Sequence, residues 1–176
     1  IGVLVFNTPG DYEYICSIGS HSTLGMVGTI SVSENDQTVV FQPQTKEELQ
    51  TAVDLWVDDN ASALIAYGEI NTWDVSLITD MSNLFKNKST FDDDIGNWDV
   101  SNVTTMQSMF ESDLMMPTQF TQDISGWDVS SVTNMAFMFR FSTLFDQDLS
   151  SWDVSSVTTM ESMFGNLSAF NQDISS

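Results

Sequence analysis

The chain of 176 residues is strongly acidic, because 25 Asp and Glu residues face only four Lys and Arg, for a formal net charge of −21. This charge argues against nucleic acid and anionic membranes as partners, since the chain would repel both. No apolar run is long enough to span a bilayer, so we predict no direct membrane insertion. A hydrophobic fraction of 41% is sufficient for a buried core.

The first part of the chain, residues 1–33, predicts an antiparallel β segment, because short apolar or alternating runs are separated by turn signals. Between two of these runs lie Cys16, His21 and Met26, at intervals of five residues. A thiolate, an imidazole and a thioether on one loop are the ligand set of a type 1 (blue) copper site. The alternative is a buried structural Cys, a surface His and a core Met, with no metal.

The string P-G-D-Y-E-Y-I-C-S-I-G-S-H-S-T-L-G-M-V-G-T-I-S-V resembles the C-terminal copper loop of cupredoxins, the family that includes plastocyanin-like and rusticyanin-like proteins. The resemblance implies that Cys16, His21 and Met26 are copper ligands and that residues 1–33 are part of a cupredoxin sandwich. The family's remaining ligand is a His further upstream. This sequence contains one His, so the implied copper site is partial.

Residues 34–44 are predicted to be a linker, and residues 45–72 an N-terminal helical cap. Thr45 and Glu48 have the spacing of a capping box. An apolar stripe at helical spacing follows and predicts a helix of about 14 residues; it consists of Leu49, Ala52, Val53, Trp56 and Val57. A helix just before a repeat array is in the position to cover the apolar end of the first repeat.

Residues 73–176 contain four repeats that begin with W-D-V-S, at Trp73, Trp98, Trp127 and Trp152. The spacings are 25, 29 and 25 residues, and such a period predicts a solenoid. We expect an α/β solenoid of leucine-rich-repeat-like coils, each with a short parallel strand and a short helix. In the second repeat the strand would carry Trp98 and Val100. The helix would begin after Ser101 and bury Val103, Met106, Met109 and Phe110.

Two further expectations come from the repeat spacing. The extra residues of the 29-residue repeat fall around 113–118 and should bulge from one loop without breaking the stack. The next Trp is due at position 177, so we expect the array to continue beyond this sequence and to be truncated at its C-terminus.

The repeats resemble those of BspA-like proteins, Mycoplasma-type surface lipoproteins with an atypical leucine-rich repeat. The resemblance covers residues 44–176 and rests on the pattern W-D-V-S-x-V-T-x-M-x-x-M-F followed by F-N-Q-D-I-S. It implies a secreted or cell-surface protein with adhesive or binding roles and no enzyme activity. The implied partner is a protein or another surface ligand, with self-assembly as a further possibility.

Stacked coils would align Asp residues of like charge, which destabilises neighbouring strands unless the charge is relieved. The first such column is Asp74, Asp99, Asp128 and Asp153. Asx-turn hydrogen bonds, solvent or Ca²⁺ could provide this relief, so calcium is a possible ligand. Four Asn-x-Ser/Thr sequons add possible glycosylation sites; they are at Asn60, Asn87, Asn102 and Asn166.

The favoured interpretation is an extracellular binding, adhesion or structural assembly protein that acts through its repeats. The alternative is a copper electron-transfer protein whose redox site is tethered to the solenoid. We find no catalytic constellation in the sequence and therefore expect no enzyme.

Overall fold

The computed structural model describes residues 10–15, 27–32 and 40–172. Contacts divide the chain into two compact units, residues 1–39 and residues 40–176. In the first unit, strand β1 (Gly10–Ile15) pairs antiparallel with strand β2 (Val27–Val32), and Ile15 lies opposite Val27. The described residues of this unit form a two-stranded sheet alone. The predicted cupredoxin sandwich, which needs a second packed sheet, is therefore contradicted.

The second unit begins with two helices, α1 (Lys46–Asp58) and α2 (Asn60–Tyr67). The predicted helix after Thr45 is confirmed: the Glu48 N–H donates to Thr45 Oγ1 at 3.2 Å. The Glu48 carboxylate accepts from the N–H of Gln44 at 2.7 Å, one residue earlier than in a standard capping box. Helix α2 ends at Gly68, whose φ of 72° suits glycine.

Residues 70–172, here called the repeat stack, contain no α-helix, and their one short helix is the 3₁₀ turn η1 (Ile70–Thr72). Instead of strands, the described part of the stack has single parallel bridges between equivalent residues of successive coils. They join Asp80 to Thr105, Thr105 to Asn134, and Asn134 to Thr159. The predicted coil of one strand plus one helix is therefore wrong, and each coil is a succession of tight turns.

Main-chain hydrogen bonds explain why no helix forms after Val103. In a helix each N–H bonds to the carbonyl four residues earlier. Here every second N–H from Met106 onwards donates to the next coil instead: Met106 to Asn134 O at 2.9 Å, and Phe110 to Met138 O at 2.8 Å. The intervening N–H groups close tight turns, as from Leu84 to Met81 O. Left-handed residues interrupt any helical run; they are Asn83, Asn87, Ser108, Phe137, Phe141, Ser162 and Asn166.

The core of the repeat stack consists of columns of like residues, as the sequence predicts. The Phe110 ring stacks between Phe85 and Phe139, with centroid distances of 5.3 and 5.5 Å. Indole N–H groups are satisfied by the preceding coil: Trp98 Nε1 donates to Ile70 O at 2.8 Å. Because these Trp, Met and Phe side chains are buried, they form a packed core and not an aromatic binding strip.

Candidate binding surface

One end of the repeat stack is covered by α1. Lys46 Nζ pairs with Asp80 Oδ1 at 2.9 Å, and Lys88 Nζ pairs with Asp54 Oδ1 at 2.7 Å. Neutral contacts join the same surfaces, because Gln50 Nε2 donates to Leu84 O at 3.0 Å. The apolar face of α1 thus closes the first coil, the role that its position in the sequence predicts.

The remaining two cations lie in one column that crosses three coils. Glu111 accepts from Lys86 Nζ at 2.8 Å and lies 3.4 Å from Arg140 Nη1. Partial burial favours a raised pKa for Glu111, but hydrogen bonds from Lys86 and Ser108 and the two nearby positive charges outweigh it, and the pKa is lowered. All four Lys and Arg residues of the chain are therefore ion-paired. The surface that remains for a partner is dominated by Asp and Glu.

The Asp residues of W-D-V-S make Asx turns. In the first coil, Asp74 Oδ1 accepts from the Ser76 hydroxyl at 2.6 Å and from the Ser76 N–H at 3.1 Å. The N–H of the equivalent Ser bonds to the column members Asp99, Asp128 and Asp153. The serine hydroxyl, followed by the N–H, lowers the pKa of Asp74, Asp128 and Asp153. These hydrogen bonds explain why Asp and Ser occupy the two polar positions of W-D-V-S.

The calcium prediction for this column is not supported by a cluster of ligands. Within residues 10–15, 27–32 and 40–172, no group of three or more His, Cys, Asp or Glu side chains is arranged to hold a metal ion. A second column behaves in the same way, since Asp94, Asp123 and Asp148 accept from N–H groups two residues later. Turn formation explains both columns, and calcium binding stays a prediction.

The predicted copper ligands Cys16, His21 and Met26 lie outside the described residues.

The four sequon asparagines are described, and all are exposed. Asn60 begins α2, whereas Asn87 and Asn166 occupy left-handed turn positions. Asn102 holds neighbouring coils together, because its Nδ2 donates to Ser76 O at 2.9 Å.

The extra residues of the second coil form a loop with apolar side chains at its tip. Leu114, Met115 and Met116, here called the Leu-Met-Met tip, are 71%, 84% and 59% exposed. Leu144 in the next coil is 55% exposed, and it lines the same groove of about 390 Å³ as Met116 and Pro117. The insertion was visible in the sequence, but the outward direction of its apolar side chains was not.

A second surface feature combines aromatic rings with a cation. The Arg140 guanidinium carbon lies 5.5 Å from the Phe137 ring centroid and 5.0 Å from that of Phe141. Both Phe residues have positive φ, 60° and 63°, which is rare for bulky residues. Equivalent positions in other coils hold Asn or Ser. The repeat spacing did not predict this cluster, although the replacement of small polar residues by Phe was a readable signal.

Comparison with protein families identifies the repeats. A family model described as "Mycoplasma protein of unknown function, DUF285" matches residues 56–176. The chain belongs to this family. The match agrees with the coarser part of the repeat resemblance, and it begins after the segment that resembles a cupredoxin. The family description assigns no activity.

Searches of curated proteins and of solved structures gave no match. In the part of the chain that the structure describes, neither helix has the length and hydropathy needed to cross a membrane.

Proposed function

We propose that this protein is an extracellular or cell-surface binding protein that contacts a protein partner through the lateral surface of the repeat stack. The supporting observation is the distribution of sequence differences among the coils. Each inward column keeps one residue type or a close apolar relative: Trp at one position, Phe at two, and Leu or Met at another. We propose no enzyme activity for this unit.

Outward positions differ from coil to coil. One column reads Lys86, Glu111, Arg140 and Gly165, and another, exposed in every coil, reads Leu77, Asn102, Ser131 and Ser156. The four-residue insertion occurs in the second coil alone. Repeats held together by neighbours can vary their outward residues without loss of the core, and such variation gives a surface that suits one partner. Loops on a rigid scaffold are the usual place for binding residues.

The surface location is tested by antibody labelling of intact cells of the source organism. We expect labelling without permeabilisation, and its removal by brief treatment of the intact cells with protease. Labelling that requires permeabilisation would contradict the proposed location. An antibody against a cytoplasmic protein serves as the control for cell integrity.

The binding role is tested with the fluorescently labelled chain on cells and on immobilised extracellular proteins. Saturable binding that unlabelled chain displaces is the expected result. Binding that remains linear in concentration, or that an unrelated acidic protein displaces equally well, would contradict a specific role.

Copper binding in the N-terminal unit is a separate proposal, with one favourable observation. Ile15 and Val27 are opposite partners in the two-stranded sheet, and they directly precede Cys16 and follow Met26 in the sequence. The pairing therefore holds together the two ends of the segment that carries the candidate ligands. Addition of Cu²⁺ should produce an intense visible band from thiolate-to-copper charge transfer, and Cys16→Ser should abolish it. No band in the unaltered chain would remove this proposal.

A further inference from the structure

The loop at residues 113–117 is a turn that hydrogen bonds hold in one conformation. The Met116 N–H donates to Asp113 O at 3.1 Å, and the Met115 N–H donates to Asp113 Oδ1 at 2.8 Å. The Ser112 hydroxyl also donates to Met116 O. Ser112 at one end of the loop and Thr118 at the other are buried. Polar groups thus anchor the loop from inside, while its apolar side chains point outwards.

Met116 of the Leu-Met-Met tip lines a groove formed by three coils, and Leu114 and Met115 precede it in the exposed loop. The Gln119 N–H donates to Ser89 O of the first coil at 3.1 Å, and this bond holds the segment that follows the loop. Leu144 and Thr143 of the third coil also line the groove. The groove has a volume of about 390 Å³, and the apolar side chains of Met116, Pro117 and Leu144 line it together with polar Ser89, Thr118 and Gln119. Such a cleft suits aliphatic or aromatic side chains of a partner.

Methionine suits this position because its unbranched, polarisable side chain adapts to varied apolar partners. Three large apolar side chains at the tip of an anchored turn are unusual for a loop, since turns usually present polar residues to solvent. Contiguous exposed apolar surface of this kind marks interaction sites.

Charge determines what kind of partner fits. Each of the four cations of the chain already has an acidic partner within the protein, so an approaching segment meets uncompensated carboxylates. Asp113 lies in the loop itself, and Asp92 and Asp146 are exposed on neighbouring coils. Complementary potentials steer association and exclude wrong partners. A partner for this surface must therefore supply Lys or Arg around its apolar residues.

We propose that the Leu-Met-Met tip and its groove bind a cationic amphipathic segment of a partner protein. Aliphatic or aromatic residues of that segment enter the groove, and flanking Lys or Arg residues face the carboxylates of the stack. This inference deepens the proposed binding function and rests on it.

The probe is a short synthetic amphipathic peptide of Leu and Lys, titrated into the full 176-residue chain. Two control peptides keep the Leu residues: one replaces every Lys by Glu, and the other has the same composition in an order that breaks the apolar face. We expect saturable binding of the first peptide alone. Its affinity should fall as NaCl is raised, because salt screens exposed charges.

The location of binding is tested by the triple variant Leu114→Ser, Met115→Ser, Met116→Ser. Because these side chains are mostly exposed, the melting temperature should be unchanged while peptide affinity falls at least roughly tenfold, as for central apolar anchors. The matched control is Ile65→Ser, which changes an 82% exposed apolar residue of α2 and not of the loop. It should leave the affinity unchanged.

Three results would overturn the inference. The triple variant could bind the Leu-Lys peptide as tightly as the original chain, or the Leu-Glu peptide could bind equally well. The original chain could also sediment with phosphatidylcholine vesicles while the triple variant does not, which would make the tip a membrane contact.

If intact cells are labelled and bound but the triple variant binds them normally, the inference fails and the proposed function survives. If peptide binding is localised to the tip but no surface labelling is found, the proposed function fails instead.

Discussion

The two ends of the repeat stack differ in what covers their apolar columns. At the first coil, helix α1 covers the column, and Trp73 packs edge-on against Trp56 with ring centroids 5.8 Å apart. At the last coil, Met160 is 41% exposed, whereas its equivalents Met81, Met106 and Met135 are fully buried. The same sequence motif therefore gives a closed core or a half-open one, depending on whether a neighbour lies on each side.

The interior coils and the last coil also differ in their main-chain hydrogen bonds. Phe137 and Phe139 donate their N–H groups to Glu161 O and Met163 O of the last coil. Within residues 40–172, the equivalent N–H groups of Ser162 and Phe164 have no acceptor. A coil with one neighbour loses both apolar burial and half of its inter-coil bonds, which is the behaviour of a quasi-one-dimensional array.

The largest difference between interior and end should appear when a Phe of the stacked column is truncated. Phe110→Ala removes a fully buried ring that packs against four other aromatic rings. It should lower the free energy of unfolding by about 3–5 kcal/mol. The matched change Phe164→Ala removes a half-buried ring of the last coil and should cost about 1–2 kcal/mol. Urea denaturation of both variants measures the difference, and equal losses would mean that the end coil is as well packed as the interior.

The covered end should depend strongly on the apolar face of α1. Leu49 is fully buried, so Leu49→Ala should lower the free energy of unfolding by about 2–5 kcal/mol. Ile65→Ala on α2, an exposed position, serves as the control and should change it little. Thermal unfolding followed by Trp fluorescence would show whether the first coil loosens. A Leu49→Ala variant as stable as the control would indicate that the helix is not a structural part of the stack.

The ion pairs of the covered end should add a smaller, pH-dependent contribution. Partial burial raises the pKa of Asp54 and of Asp80, but hydrogen bonds and the charges of Lys88 and Lys46 outweigh it, so both pKa values lie below the ordinary carboxyl value of 3.8. A carboxyl whose pKa is lower in the folded state stabilises the fold at pH above its unfolded value. That stability is lost as the pH falls from about 3.8 through the folded value.

The two pairs are half exposed, so each should contribute at most about 1 kcal/mol. Urea midpoints measured between neutral and strongly acidic pH should fall less in the double variant Asp54→Asn, Asp80→Asn than in the original chain. Parallel curves for the two proteins would show that other carboxyls carry the acid sensitivity.

The smallest expected effect concerns the left-handed turns that both interior and end coils share. Ser162 has a φ of 48°, and Asn tolerates this region better than Ser. Ser162→Asn should therefore stabilise the chain by about 0.5 kcal/mol. Ser156→Asn, at an exposed position without positive φ, should be neutral. A destabilised Ser162→Asn variant would mean that the turn geometry does not control the choice of residue.

Sequence periodicity predicted which residues are buried better than it predicted their secondary structure. Met106, Met109 and Phe110 are buried as expected, but their spacing fits both an amphipathic helix and a series of stacked turns. Periodicity locates side chains and does not say where main-chain N–H groups bond. The N–H groups bond to the next coil. The constant length of the repeats predicts such bonds, whereas the residues of a single repeat do not.

The sequence predicted only part of the candidate surface, because spacing shows contacts between neighbouring residues and not those between distant ones. The Asp of W-D-V-S could be assigned to Asx turns because Asp74 and Ser76 are close in sequence. The Leu-Met-Met tip depends on how Ser112 and Thr118 anchor the loop, and Arg140 meets Phe137 and Phe141 because the turns between them fold back. Such contacts depend on three-dimensional placement that composition and spacing do not encode.

Most inter-coil main-chain hydrogen bonds run in one direction, which gives the repeat stack an electrical polarity. The alternate N–H groups, such as that of Met81, point towards the last coil, whereas a smaller set, such as that of Thr104, points towards the first coil. The peptide dipoles therefore add in part, in the sense in which they add along an α-helix. The carbonyl end is where Lys46 and Lys88 lie, so two of the four cations of the chain oppose its partial negative charge.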